Sequence, residues 1–174
     1  GFDPGGGFNN TVQAIGLQAD GKIVAGGSFT QYRGAGPRYL VRLLSDSTFD
    51  ETFAIGSGPD NAVNDVEVLG DGRILVVGNF GQIDGVVWPR VARLLGTGLA
   101  DASFDPGQGP NSNVQVVQAQ ADGRILLGGS FTQVNGSSRN RIARLTEAGL
   151  LDGRFRVMGG ANNTVYALGL QGGG

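Results

Sequence analysis

The sequence predicts an all-β fold built from tandem repeats, and three observations carry that reading. The pairs Asp20-Gly21, Asp71-Gly72 and Asp122-Gly123 recur at a constant spacing of 51 residues. Each leads into a similar apolar stretch, DGKIVAGGSF, DGRILVVGNF and DGRILLGGSF, with no gap needed to align them. Apolar and polar residues alternate over short runs, and nowhere do apolar residues recur at helical spacing between capping signals.

The period extends well beyond these stretches. It links Phe29, Phe80 and Phe131, then Gly34, Gly85 and Gly136, then Arg42-Leu43, Arg93-Leu94 and Arg144-Leu145. Two series run fourfold: Phe2, Phe53, Phe104 and Phe155, and Val12, Val63, Val114 and Val165. The chain therefore holds three full repeats and the opening of a fourth, with starts near 2, 53, 104 and 155. We expect one tandem-repeat β domain over residues 1–174, a fragment or subunit of a larger array.

Within one period the elements follow in order. Val12 to Gln18 alternates apolar and polar side chains, Ala19-Asp20-Gly21 supplies a turn, and Lys22 to Phe29 is apolar and glycine-rich, which together predict a hairpin. Asp-Gly at the tip suits a two-residue turn in which both central residues take positive φ. A loop of variable sequence follows, then a third strand from Tyr39 to Leu44, repeated as RVARLL and RIARLT. A short fourth strand is expected near residues 49–53, 100–104 and 151–155, bounded by turn residues.

Four short strands per unit and glycines inside a buried strand point to β-propeller blades. Gly26-Gly27, Gly78 and Gly128-Gly129 would let inner strands crowd together. A β-trefoil is the alternative, since it too has three units of about fifty residues. Against it stands the extra strand expected at Val165 to Gln171, which a closed threefold fold has no place for. Three blades and a fraction do not close alone, so the open ends are expected to pair with another chain as a ring or filament.

The motifs also resemble a known family. FDPG with Phe2 and again at 104–107, QADGKIVAGGSFT at 18–30 and QADGRILLGGSFT at 120–132 are similar to the bacterial delta-60 repeat. The middle copy departs from it, reading LGDGRILVVGNFG at 69–81. The resemblance covers essentially the whole chain and implies β-propeller blades in a secreted or cell-surface bacterial protein with no assigned enzymatic activity.

Composition narrows the chemistry. With no cysteine and no histidine, the chain lacks disulfides, thiolate ligands, cysteine nucleophiles, the usual general base and the commonest metal ligand. No cofactor or metal is expected. Fifteen carboxylates against thirteen Lys and Arg give a formal net charge of -2, and without a long run of either sign no nucleic-acid partner is expected. Lys22 is the only lysine, so the arginines are read as specific pairing groups. No stretch reaches membrane-spanning length, and Gly1-Phe2-Asp3 does not open a signal peptide.

Asp20, Asp71 and Asp122 each stand alone, whereas calcium loops place several oxygen ligands at alternate positions, so they are read as turn residues. Arg42, Arg93 and Arg144 are read as structural, pairing with the aspartates of those turns and donating to backbone carbonyls. Where the units differ, the loops after Phe29, Phe80 and Phe131 read TQYRGAGPR, GQIDGVVWPR and TQVNGSSRN. Tyr32, Arg33, Trp88 and Arg139 are candidates to stack on sugars or grip a protein, with Asp84 and Asn135 as hydrogen-bonding groups. The alternative for Trp88 is packing over a neighbouring blade. The function expected is a non-enzymatic structural or adhesive surface protein. The alternative is a carbohydrate-active enzyme using two carboxylates from Asp65, Glu67 and Asp84.

Overall fold

A computed structural model describes residues 5–171, and it is all-β, with no helix among them. Phe2, the start of the first FDPG and Gly174 lie outside the described residues. In the first unit β1 (Val12–Leu17), β2 (Ile23–Gly27) and β3 (Leu40–Leu43) form an antiparallel sheet in that order. The second unit has β4 (Val63–Val68), β5 (Ile74–Gly78), a small hairpin of β6 (Gln82–Ile83) and β7 (Val86–Val87), then β8 (Val91–Leu94). The third has β9 (Val114–Ala119), β10 (Ile125–Gly129), β11 (Gln133–Val134), β12 (Ser137–Ser138) and β13 (Ile142–Leu145). Each unit is thus its own sheet, with orders β4-β5-β8 and β9-β10-β13 in the second and third. These are propeller blades set side by side and not closed into a ring, and the trefoil falls away.

Four local expectations change. The fourth strand shrinks to single bridges, Leu43 with Phe49, Leu94 with Ala100 and Leu145 with Leu151. The chain bends away because the next residue is an aspartate that folds it over: Asp50 Oδ1 accepts from the Thr52 amide at 3.0 Å, and Asp101 Oδ1 from Ser103 at 3.0 Å. These are side-chain turns that compete with a ladder.

The Asp-Gly tips are not two-residue turns. Only the glycines have positive φ, +84° at Gly21, +85° at Gly72 and +80° at Gly123. Gly21 N donates to Gln18 O at 2.9 Å and Gln18 N to Lys22 O at 2.8 Å, a three-residue loop closed by a left-handed glycine. The aspartate stays outside the left-handed region while its carboxylate accepts the amide two residues on, at 3.2 Å for Asp20 and 3.0 Å for Asp71.

The two-residue turn does exist, but in the segment read as a variable loop. Asp84-Gly85 has φ of +50° and +74°, and Asn135-Gly136 has +50° and +72°, at the tips of β6–β7 and β11–β12. Arg33-Gly34 matches at +51° and +83°, although its hairpin is reduced to a bridge between Tyr32 and Ala35.

Val165 to Gln171 is not a strand. Val165 N donates to Gly129 O at 3.2 Å, and the segment has no ladder partner among the described residues. Inner strands β1, β4 and β9 each take their ladder from the next strand of their own blade, and a neighbouring blade does not supply one.

Blade contact runs through the inner strands. Val63 and Val66 of the second blade pack on Gly26 of the first, and Val165 occupies the corresponding place on Gly128. Gly27, Gly78 and Gly129 are glycine for another reason, because a Cβ there would collide with the Thr11, Ala62 or Asn113 carbonyl oxygen of the same blade. A bulge at the start of each inner strand brings that carbonyl in. The main core spans the blades through Phe80, Leu94, Phe104, Leu127 and Phe131.

The repeated arginines hold the blades, with partners other than those expected. Arg42 Nε donates to Asp50 Oδ2 at 2.8 Å, Arg93 to Asp101 at 2.7 Å and Arg144 to Asp152 at 3.0 Å. Each acid lies eight residues on, where the bend after the third strand folds back over the guanidinium. Asp20, Asp71 and Asp122 instead pair with Lys22, Arg73 and Arg124. Each arginine also lies over the ring of Phe53, Phe104 or Phe155, at 4.6, 5.0 and 4.7 Å.

Candidate binding face

The six candidate residues occupy equivalent places in successive blades, all in or beside the second hairpins. Arg33, Asp84 and Asn135 share the first turn position, and Trp88 and Arg139 share the position that leaves the hairpin. They form one edge shared by three blades and are not gathered in a single cleft.

Several of them are structural. Asp84 Oδ1 accepts from the Ser57 amide at 2.8 Å, and Asn135 Oδ1 from the Gly109 amide at 2.8 Å. Each turn thereby holds the loop that enters its own blade, and the side chain lies so close that Gly56 or Gly107 has no room for a Cβ. Tyr32 is buried, donates its hydroxyl to Ser47 O at 2.7 Å and packs on Phe8 and Phe29 as part of a second core. Arg33 donates to Ser47 Oγ at 3.0 Å, its guanidinium 5.4 Å from the Tyr32 ring. Trp88 is buried and belongs to the main core, as its packing alternative has it. Its Nε1 has no hydrogen-bond partner among the described residues. Arg139 donates to Ser138 O at 2.7 Å and borders a cavity of about 280 Å³ with Asn140 and Met158.

What the hairpins present to solvent is the pair after the turn. It is Ala35-Gly36 in the first blade, Val86-Val87 in the second and Ser137-Ser138 in the third, all exposed. The two valines stand 57% and 70% exposed on a backbone matching that of the two serines. Between the first two blades this face opens into a cleft of about 440 Å³, lined by Arg38, Tyr39, Pro59, Asp60 and Gln82. At the next junction Pro89 and Arg90 replace Arg38 and Tyr39, and Arg90 NH1 donates across to Pro110 O at 3.1 Å.

A matching scaffold stands behind each hairpin. Asn9 Oδ1 accepts the Thr30 amide at 2.9 Å while its Nδ2 donates to Thr30 Oγ1 at 2.9 Å, and Asn111 does the same with Thr132. In the middle blade Asp60 replaces asparagine and Gly81 replaces threonine, and the carboxylate accepts the Gly81 amide at 2.8 Å. The side-chain donor and its hydroxyl acceptor are both absent from this blade.

The sequence profile of a family described as a domain of unknown function (DUF5122), beta-propeller, matches residues 18–53, 69–104 and 120–155. The chain belongs to the DUF5122 β-propeller family. The three DUF5122 matches begin at Gln18, Leu69 and Gln120, in the same repeat register as the blades. No curated protein matches the chain.

The acids considered for catalysis are engaged between the DUF5122 blades. Asp65 accepts the Val66 and Val117 amides at 2.9 Å each, and Glu67 accepts the Ala119 amide at 2.6 Å and Gln118 Nε2 at 2.9 Å. Partial burial raises both carboxyls above the ordinary range, against those bonds, and the charge of Asp65 adds to the rise at Glu67. Asp84 lies on a different element, the hairpin tip. Among the described residues no group of three acids is placed to hold a metal ion.

Sequence reasoning missed three left-handed residues, Tyr39, Arg90 and Arg141, with φ of +65°, +68° and +71°. Their amides donate to Phe29, Phe80 and Phe131 O at 2.8–3.0 Å, which returns the chain from hairpin to third strand. Their shared spacing was the available signal, but a tyrosine and two arginines carry no turn preference that marks a left-handed position. By contrast, the Asp84-Gly85 and Asn135-Gly136 dipeptides do carry the turn preference that places the second hairpins.

Proposed function

We propose that this chain is a non-enzymatic scaffold of a secreted or cell-surface protein, with the second-hairpin edge as its contact surface for a partner protein. The observation that carries this reading is the exposed Val86-Val87 tip, held on a turn whose counterpart presents two serines. A blade-specific apolar tip on a repeated backbone is how repeat scaffolds acquire a partner. Protein is favoured over carbohydrate because Tyr32 and Trp88, the aromatics that would stack on a sugar, are both in the core. The resemblance to the delta-60 repeat supports the surface location. The carboxylate bonds of Asp65 and Glu67 to a neighbouring strand support a structural use of those acids.

The test is capture of surface proteins by the chain and by V86S/V87S, alongside a glycan array. Capture by the parent chain that falls at least tenfold in the variant, with unchanged thermal unfolding, is the expected result. Glycan binding untouched by the substitutions would overturn the protein reading, and polysaccharide turnover lost on Asp65→Asn would restore the enzyme.

A second reading, lateral association, rests on β1. Ile15 is 68% exposed, while its counterpart Val66 is 7% exposed against the preceding blade. Another blade of the same repeat would bury Ile15 and Leu17 in the same way. Light scattering over a range of concentrations tests this, with self-association as the expected result and a persistent monomer against it.

A further inference from the structure

The same stretch of the second-hairpin edge is hollow on one blade and projecting on the next. On the first blade a pocket of about 250 Å³ opens between the hairpin tip and the segment bridged to the third strand, lined by Tyr32, Arg33, Ala35, Gly36, Thr48 and Phe49. In the second blade the register places Val86 and Val87 where the pocket has Ala35 and Gly36, and Ala100 where it has Phe49. A small tip thus stands before a large wall in the first blade, and a large tip before a small wall in the second. The second blade has a neighbour on either side, yet Val86, Val87 and Leu99 stay exposed there. Stacking of blades therefore leaves this part of the edge in solvent. Charge differs along the same line. Residues 31–39 carry Arg33 and Arg38 and no acid, and Asp46 beside the pocket is held by the Thr48 amide and hydroxyl at 2.9 and 2.6 Å. On the second blade the exposed Asp84 stands at the projecting turn, Asp60 lies behind it, and Arg90 is turned to Pro110 O.

We propose that this edge is self-complementary and that its partner is a second copy of the chain, docked face to face about a two-fold axis between the first and second blades. The proposal rests on the reading of the edge as a contact surface and names what it contacts. Hollow and projection occupy equivalent places on adjacent blades, so one rotation sets the Val86-Val87 pair of each copy into the pocket of the other. This is an isologous arrangement: the same contact is made twice, and the assembly closes as a dimer. Each contact takes two valine side chains and the apolar lining of a pocket out of water, which is the driving term. The rotation also sets Arg33 and Arg38 of one copy opposite the acids of the other, which fixes orientation more than it adds affinity. The third blade, with Ser137-Ser138 at its tip, takes no part.

The test is sedimentation of the full chain over a range of concentrations, beside V86S/V87S, which copies the third blade's tip, and A35W, which fills the pocket from an exposed position. The parent should dimerise, and each variant should do so more weakly by about tenfold or more, because both contacts lose their valines or their pocket. An equimolar mixture of the two variants should associate more tightly than either alone. The tip of A35W still meets the open pocket of V86S/V87S, so one contact of the two is restored. Thermal unfolding checks that both variants are folded, and V86S/V87S decides alone if A35W is not. A monomeric parent would overturn the proposal, as would a mixture no tighter than its components. Dimers that survive V86S/V87S would overturn it too, since association through β1 is indifferent to that tip. A monomeric parent that still captures surface proteins through Val86 and Val87 would remove the second copy as partner and leave the edge as a contact surface.

Discussion

At the scale of single residues, glycines in adjacent positions of one strand answer to different constraints. A Cβ at Gly78 meets the Ala62 carbonyl, which is backbone and cannot step aside, whereas a Cβ at Gly26 meets valine side chains of the next blade. The middle blade itself carries Val77 where the first carries Gly26. Gly78→Ala should therefore destabilise the chain by more than about 3 kcal/mol, and Gly26→Ala by about 1–3 kcal/mol, the usual range for overpacking; urea unfolding of the two variants checks the order. The Asp60 and Gly81 exchange makes a second prediction. Asp60→Asn alone brings an amide donor to a place without the threonine hydroxyl, and Gly81→Thr alone brings the hydroxyl without the amide. Together they rebuild the arrangement of the outer blades, so a double-mutant cycle should show favourable coupling of about 0.5–1 kcal/mol. Strict additivity would contradict it.

At the scale of elements, the arginine and aspartate that close each blade set both stability and its response to acid. Arg93→Ala leaves the buried Asp101 with only Arg73 NH1, 3.8 Å away, as a cation and should cost up to roughly 3–5 kcal/mol in denaturant unfolding, with less at the more exposed Arg144. Burial works to raise the Asp101 carboxyl, but the Ser103 hydroxyl and amide and the Arg93 guanidinium outweigh it and hold it at about 2, below the ordinary 3.8. A depressed carboxyl contributes stability that is complete above the unfolded value and lost as pH falls through the folded one. Acid should thus weaken the chain from about pH 4 towards pH 2, and Asp101→Asn should flatten that part of the profile. Asp65 and Glu67 act in the opposite sense, since their folded carboxyls are raised and lowering the pH through them relieves the charged form. The repeat, the first hairpin and the third strand were legible in the sequence, because each rests on an apolar pattern that recurs in all copies. The partner of Arg93 was not, because a bend eight residues on supplies it. The second hairpin was hidden behind the sequence variability of its flanks, although Asp84-Gly85 and Asn135-Gly136 marked its turns. Trp88 looked like a binding group by residue type, and only its burial shows that it packs.

At the scale of the whole molecule, the blades are joined where backbone ladders do not reach. Gln13 Nε2 donates to Asn64 Oδ1 at 3.3 Å, and Asn64 Nδ2 donates to Val114 O at 2.8 Å, so bulge side chains link three inner strands in succession. Asp65 and Glu67 extend the link from the second blade to the third. The Val117 and Ala119 amides point away from their own ladder and find acceptors only in that neighbouring blade. Hydrogen exchange at these two amides reads the stacking of blades directly. Protection comparable to the β9–β10 ladder, lost selectively in D65A/E67A, is the result that follows from blades stacked in register. Exchange at the rate of solvent-exposed amides, with the ladder still protected, would mean that each sheet folds without its neighbour and would contradict it.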